Sequence, residues 1–221
     1  MADPRVKPLP SEDLISARRA GLNPPYGEKF VAKYDLVLFH ELFGNSNPVE
    51  FEIGCGKGKF LVARALENPG TNFFGIDRVS KFMNLGKTRA EKRELSNIRF
   101  FRAEAKAFLT DAVAPASVSI FHIYFSDPWP KRRHQTRRVF TDEFLRLLHA
   151  RLVPGGGVEI ATDDRDYFAA IKKTIASTGE LWENVRETVN ERILDSMNKT
   201  SYEIKWAAEG RALYYAELKK R

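Results

Sequence analysis

Cysteine occurs once in this 221-residue chain and histidine four times. A lone thiol, Cys55, cannot close an internal disulfide, which fits a reducing compartment and sets the expectation of a cytoplasmic protein. Four scattered histidines and one cysteine give no cluster at metal-ligand spacing, so no metal site is expected. No apolar run approaches the ~20 residues of a membrane-spanning helix, and no membrane partner is expected. The N-terminus, MADPRVKPLPSEDLISARRA, is too charged and too broken by proline for a secretion signal. Internal repeats and low-complexity tracts are also missing. What remains is 43% hydrophobic and 12% aromatic, the profile of a soluble globular protein long enough for one substantial core and a short appendage. The net charge of +7 favours a polyanionic partner.

Residues 1–25 hold five prolines and many charges and read as an extended arm ahead of one domain over 26–221. Residues 27–43 show helical spacing, with Phe30, Tyr34, Val37, Leu38 and Leu42 on one stripe. From Val49 onward, strands alternate with helices. Strand patterns fall at 49–53, 72–77, 97–101, 117–125 and 156–162, separated by helical patterns at 57–67, 79–95, 104–112, 141–151 and 164–178. This rhythm predicts an α/β fold with a doubly wound, mostly parallel sheet and helices on both faces. After Gly179, segments 181–189 and 211–219 read as two further strands, an antiparallel pair at the sheet edge that brings the total to seven. A polar segment of no assigned structure lies between them.

Ligands of such sheets gather at the carboxyl ends of the strands. The first strand runs into FEIGCGKGKF, where Gly54, Gly56 and Gly58 let the backbone turn tightly and approach a ligand. The spacing is G-x-G-x-G rather than the G-x-G-x-x-G of dinucleotide sites. Glu52 stands two residues before the first glycine. A carboxylate there suits a cationic ligand better than a pyrophosphate, which favours S-adenosylmethionine over NAD. Asp77, nineteen residues past Gly58, closes the second strand, where an acid can accept from both ribose hydroxyls. Glu104 follows the third strand, placed either for an adenine edge or as an acid at a helix N-terminus.

The fourth strand ends in FSDPWPKRRHQTRR (125–138). Asp127 lies in a loop stiffened by Pro128 and Pro130, with Trp129 offering a flat face that either stacks on a base or packs beneath the loop. Lys131, Arg132, Arg133, Arg137 and Arg138 then place five cations in eight residues. A carboxylate beside a rigid aromatic and a dense positive run suits chemistry on one base of a nucleic acid. Asp163 closes the fifth strand and either faces Asp127 across the pocket or caps the helix that follows. Lys81, Lys87, Arg89, Lys92 and Arg93 give helix 79–95 a basic face.

Together these motifs resemble the tRNA (guanine-N7-)-methyltransferases, class I S-adenosylmethionine-dependent enzymes with a Rossmann-like fold. The resemblance runs from about Val49 to the C-terminus. It rests on the EIGCGKG turn, the Asp77 strand end, DPWPK followed by R-x-x-x-R-R, the Thr162-Asp163 pair and the T-x-Y-E string at Thr200–Glu203. It implies methyl transfer from S-adenosyl-L-methionine to a tRNA guanosine in the variable loop. It also implies cofactor-site roles for Glu52, Gly54, Gly56, Asp77, Glu104 and Asp127, with Asp127 catalytic. Lys131, Asp163, Thr200, Ser201, Tyr202 and Glu203 become the guanosine-binding set, and Arg133, His134, Gln135, Thr136, Arg137 and Arg138 the RNA-contacting run. Asp77 replaces the family's commoner Glu, and Ser126 stands where a proline often precedes DPWP. The residues alone leave two rivals: a methyltransferase for a small molecule or protein, which leaves RRHQTRR unused, and a non-catalytic RNA-binding protein, which leaves Glu52 and Asp77 unused. Monomer and homodimer are equally compatible with the sequence.

Overall fold

The computed structural model describes residues 34–191 and 198–221. The expected arm over 1–25 lies outside them, as do residues 27–33 of the helical reading over 27–43. In chain order the elements are α1 (Phe39–Phe43), β1 (Val49–Ile53), α2 (Lys59–Glu67), β2 (Asn72–Asp77), α3 (Ser80–Glu91), β3 (Ile98–Arg102) and α4 (Ala105–Asp111). Then come β4 (Val118–Tyr124), a 3-10 helix (Arg132–Arg137), α5 (Asp142–Arg151), β5 (Leu152–Thr162), α6 (Arg165–Ser177), β6 (Trp182–Val189), α7 (Ser201–Ala208) and β7 (Tyr214–Lys220).

Period-two alternation shapes the strands. In β1, Phe51 and Ile53 serve one face and Glu50 and Glu52 the other, and all four are buried. The seven strands form one sheet in the order β3-β2-β1-β4-β5-β7-β6. Pairing is parallel from β3 to β5, and β7 runs antiparallel to both β5 and β6, so the expected edge pair is present. One face packs Phe51, Phe74, Phe121 and Ile160 against Phe108, Phe144, Leu148 and Ile171 of α4, α5 and α6. The other packs Phe73, Ile98 and Phe100 against Phe60, Leu61, Met83 and Ala90 of α2 and α3. The sheet is therefore wound on both faces, and its switch point falls between β1 and β4, where a ligand crevice opens.

Two segments depart from the sequence reading. Within 34–43 only Phe39–Phe43 is helical. Val37 instead bridges to Val113 and donates to the Ala112 carbonyl at 2.8 Å, while Tyr34 N–H donates to Asp111. These contacts hold the chain extended against the end of α4, overriding the helical stripe. Conversely, the polar segment before the last strand contains α7. Thr200 caps it by accepting from Glu203 N–H at 3.0 Å, and Glu203 accepts from Thr200 N–H in return, a reciprocal capping box.

Candidate active site

The glycine turn leaves β1 at the switch point. Gly54 and Gly56 have φ of 81° and 49°, and a Cβ at either would meet nothing within 4 Å, so the turn borders open space. Gly58 (φ 63°) serves packing instead: a Cβ there would lie 2.9 Å from the Gly86 Cα and 2.8 Å from the Phe100 ring. The turn is tied down by Gly54 and Cys55 N–H groups donating to the Ile76 carbonyl at 2.9 and 3.0 Å. Asp77, at the neighbouring strand end, accepts from Gly56 N–H at 2.9 Å and Val79 N–H at 2.8 Å. Each of its oxygens retains a second lone pair for a ligand.

Glu52 is 4% exposed, and its Oε2 has no hydrogen-bond partner. Burial lifts its carboxyl to a pKa of about 7; His122 opposes the shift and Asp77 adds to it. An orphaned buried carboxylate is costly unless something completes it. Cys55 is buried inside the turn, and burial, with Glu52 and Asp77 nearby, pushes its thiol well above the ordinary value. It is a packing residue, as its surroundings disfavour a thiolate.

Beneath Glu52 lies a buried polar cluster that sequence reasoning missed. His122, 1% exposed, bridges Glu50 at 2.9 Å and Glu159 at 2.9 Å. Arg64 of α2 pairs with Glu50, and Tyr124 donates to Glu159. Burial alone would lower the His122 pKa, but Glu159 and Glu50 overcome it and leave it at about 9. Burial likewise opposes ionisation of Glu50, and His122 and Arg64 reverse that, holding it below the ordinary range. The cluster is thus two carboxylates balanced by His122 and Arg64. The only signal in the sequence was an unusual one: Glu50, His122 and Glu159 each sit inside a strand of the parallel sheet.

Glu104 caps α4. Its carboxylate accepts from Lys106 N–H at 3.2 Å and Ala107 N–H at 2.9 Å. Of the two readings of this residue, the structure displays the capping one.

Asp127 is exposed and has no hydrogen-bond or ion-pair partner among the described residues. The loop around it is strained: Phe125 and Trp129 take φ of 52° and 45°, left-handed values unusual for bulky residues. Three contacts hold that shape. Phe125 N–H donates to the Ala161 carbonyl at 2.7 Å, Arg138 Nε donates to the Pro128 carbonyl at 2.8 Å, and the Arg137 guanidinium lies 5.0 Å from the Trp129 ring centre. His134 meets the same ring edge-on at 5.8 Å. Trp129 therefore packs within the loop. The run expected to contact RNA divides accordingly: His134, Arg137 and Arg138 brace the loop, while Arg133, Gln135 and Thr136 are exposed along the 3-10 helix, as are Lys131 and Arg132 at its start.

Asp163 sits at the end of β5, beside β4, and does not cap α6; Asp164 does, accepting from Tyr167 N–H at 2.7 Å. Asp163 instead accepts from Arg211 at 2.9 Å, a partner 48 residues away that the sequence did not point to. Within the T-x-Y-E string, Thr200 and Glu203 are spent on the capping box. Glu203, 1% exposed, also accepts from the Tyr215 hydroxyl at 2.9 Å. Ser201 and Tyr202 are exposed, and the Tyr202 ring centre lies 6.2 Å from that of Phe125. The string thus reaches the DPWP loop through its tyrosine.

An open glycine turn, an orphaned buried acid and a second acid at the next strand end, all at the switch point of this sheet, define a Rossmann-like methyltransferase. The fold is shared with an antibiotic-related methyltransferase (TM-score 0.58, 20% identity, covering 83% of this chain and 92% of that one). It is shared too with the tRNA (m1A58) methyltransferase of Aquifex aeolicus (TM-score 0.54, 16% identity, covering 87% and 73%). A family model described as "Putative methyltransferase" matches residues 46–216. The chain is 33% identical over 202 residues to the tRNA (guanine-N(7)-)-methyltransferase of Lachnoclostridium phytofermentans, covering 87% of this chain and 94% of that one. To the Bacillus subtilis enzyme of the same name it is 32% identical over 183 residues, covering 83% and 85%. The chain belongs to the tRNA (guanine-N7-)-methyltransferase family. Its site fits S-adenosyl-L-methionine as methyl donor: the unpartnered Glu52 oxygen suits a cationic ligand, and the turn at Gly54 and Gly56 leaves room for it.

Proposed function

We propose that this chain transfers a methyl group from S-adenosyl-L-methionine to N7 of a guanosine in the variable loop of tRNA, with Asp127 holding the reacting base. The methyl donor, when bound, supplies an activated methyl group on a sulfonium. Glu52, Asp77 and the open turn are the residues that would hold it. Guanine N7 is an exposed lone-pair acceptor and needs no deprotonation. The protein is therefore asked for alignment, which can contribute several kcal/mol by itself, and for charge stabilisation, with no general base. A carboxylate at N7 would repel the lone pair, so Asp127 and Asp163 hold the opposite edge, where N1–H and the exocyclic amine are donors. As N7 is alkylated, positive charge spreads through the guanine and those donors strengthen. The acids then favour the transition state over the ground state. Lys131 and Arg133 grip phosphates and set position rather than base identity.

The observation that carries this reading is the conformation around Asp127. Two non-glycine residues with positive φ bracket an exposed carboxylate that nothing described pairs with. Each such residue costs on the order of 1–3 kcal/mol, and the Arg138 and Ala161 contacts maintain the strain. A solvated loop closed by prolines would relax. The test is Asp127→Asn, which keeps size and removes charge. Its single-turnover rate under saturating tRNA and cofactor should fall by roughly a hundredfold or more, as when an oxyanion-hole donor is removed, while tRNA affinity changes little. A wild-type rate in this variant would reduce the loop to a positioning element.

A further inference from the structure

Beside the DPWP loop, α7 carries a surface aromatic group to which the reaction described above gives no role, although the resemblance counts Tyr202 among the guanosine-binding residues. Tyr202 and Trp206 are four residues apart on one helix face, the spacing at which side chains meet. Their rings are stacked with centres 6.1 Å apart and planes 26° from parallel. Tyr202 is 57% exposed, far more than an aromatic with only a packing role requires. Trp206 is backed by two cations: the Arg211 guanidinium lies 3.7 Å from its ring centre and the Lys205 ammonium 4.2 Å. Arg211 is itself fixed by Asp163 at 2.9 Å and Glu209 at 3.2 Å. One end of this row is thus tied to a candidate base-holding acid, and the other reaches Phe125, two residues before Asp127.

We propose that Tyr202, backed by Trp206 and Arg211, is a stacking ledge for an unstacked base of the substrate RNA, the nucleotide next to the methylated guanosine. The inference rests on the reading of the site given above and adds a residue-level contact to it. Three observations favour an RNA base over a protein partner. The ring is stacked on Trp206 and open to solvent, and an aromatic side chain has few rotamers to lose when a planar base binds. The exposed charges around it, Lys199, Lys205 and Arg211 against Glu209, are mostly positive. And the target base entering at Asp127 and Asp163 must leave its own stack, which strips a stacking partner from its neighbour. Thr200 and Glu203 support the ledge: the capping box fixes the start of α7, and Tyr215 donates to Glu203.

The experiment measures tRNA affinity over a salt series for wild type, Tyr202→Ala, Tyr202→Phe and Trp206→Ala. Tyr202 is exposed, so its variants should fold as wild type does, and thermal melting checks this. Tyr202→Ala should bind roughly five- to a hundredfold more weakly, the range of a lost base–aromatic stack. The salt dependence should be parallel to that of wild type, because a stack releases no counterions. Tyr202→Phe should restore binding, and Trp206→Ala should show part of the loss. In tRNA carrying 2-aminopurine next to the methylated position, wild type should quench the probe and Tyr202→Ala should not. Equal affinity of Tyr202→Ala and wild type overturns the ledge, as does a Tyr202→Ala effect seen only as a shallower salt slope. Quenching confined to a probe at the target position also overturns it. A wild type that methylates tRNA while Tyr202→Ala binds equally well sinks the ledge and leaves the parent reading standing; a wild type that binds no tRNA sinks both.

Discussion

Replacing Glu52 by Gln should separate what this residue costs the free protein from what it gives the bound one. In the free protein, burial raises the carboxyl pKa to about 7. A cationic ligand beside it favours the ionised form and pulls that value down. Binding below pH 7 therefore expels a proton. The sign follows from linkage: affinity is full where the free carboxylate is already ionised and weakens as pH falls through about 7. For a bound-state pKa well below 6, the dissociation constant should rise about tenfold from pH 8 to pH 6. In Glu52→Gln that dependence should vanish. At pH 8 the variant should bind more weakly by roughly 1.5–3 kcal/mol, the worth of a hydrogen bond to a charged group, or about ten- to a hundredfold. The free variant should be more stable at pH 8, because a carboxyl whose pKa is raised on folding destabilises the fold once ionised. The shift from 4.5 to about 7 sets an upper bound of about 3 kcal/mol. Calorimetry with S-adenosylhomocysteine, at several pH values and in buffers of different ionisation enthalpy, reads both affinity and proton release. A wild-type affinity flat from pH 6 to pH 8, with no buffer dependence, would refute the assignment of Glu52 to the cofactor's cationic group.

The other expectations concern the basic run and the buried cluster. Lys131, Arg132 and Arg133, exposed on the 3-10 helix or at its start, changed together to Ala should weaken tRNA binding and flatten its salt slope by about 0.7–0.9 for each phosphate no longer neutralised. Cofactor affinity should stay as in wild type, and an unaltered salt slope would remove these residues from the RNA backbone. His122 is raised to about 9 in the folded protein, so its stabilising charge is fully present below about 6.5 and is lost as pH rises through about 9. Wild type should lose up to about 3 kcal/mol more than His122→Gln over that window, measured by urea unfolding at its two ends; parallel pH profiles would contradict the cluster's charge state.

Much of this was legible because the informative signals are local. Strand-end residues follow apolar runs, and glycine or proline marks where a strand gives way to a turn, so Glu52, Gly54, Asp77, Asp127 and Asp163 could be placed on strand ends from spacing alone. The buried cluster was not legible, because it requires knowing that Glu52 registers with His122 and His122 with Glu159 across three strands distant in sequence. Nor could Arg211 be tied to Asp163, since only the return of β7 beside β5 brings them together. Helix α7 did have a local signal, the T-x-x-E capping pattern at Thr200 and Glu203. The same residues also match a ligand motif, and the two signals coincide on one string. The helical stripe through Tyr34 and Val37 was a true pattern overruled by tertiary contacts, since Val37 pairs with Val113. Trp129 was ambiguous for a similar reason: only the folded loop shows Arg137 already over its ring.

The measurement closest to the centre of this account is nucleoside analysis of unmodified tRNA after incubation with the purified protein and methyl-labelled S-adenosylmethionine. The account predicts label in 7-methylguanosine, at a guanosine of the variable loop, with little or none formed by Asp127→Asn in a single turnover. Label in another nucleoside, or tRNA left unlabelled by a protein that binds the cofactor, would contradict it.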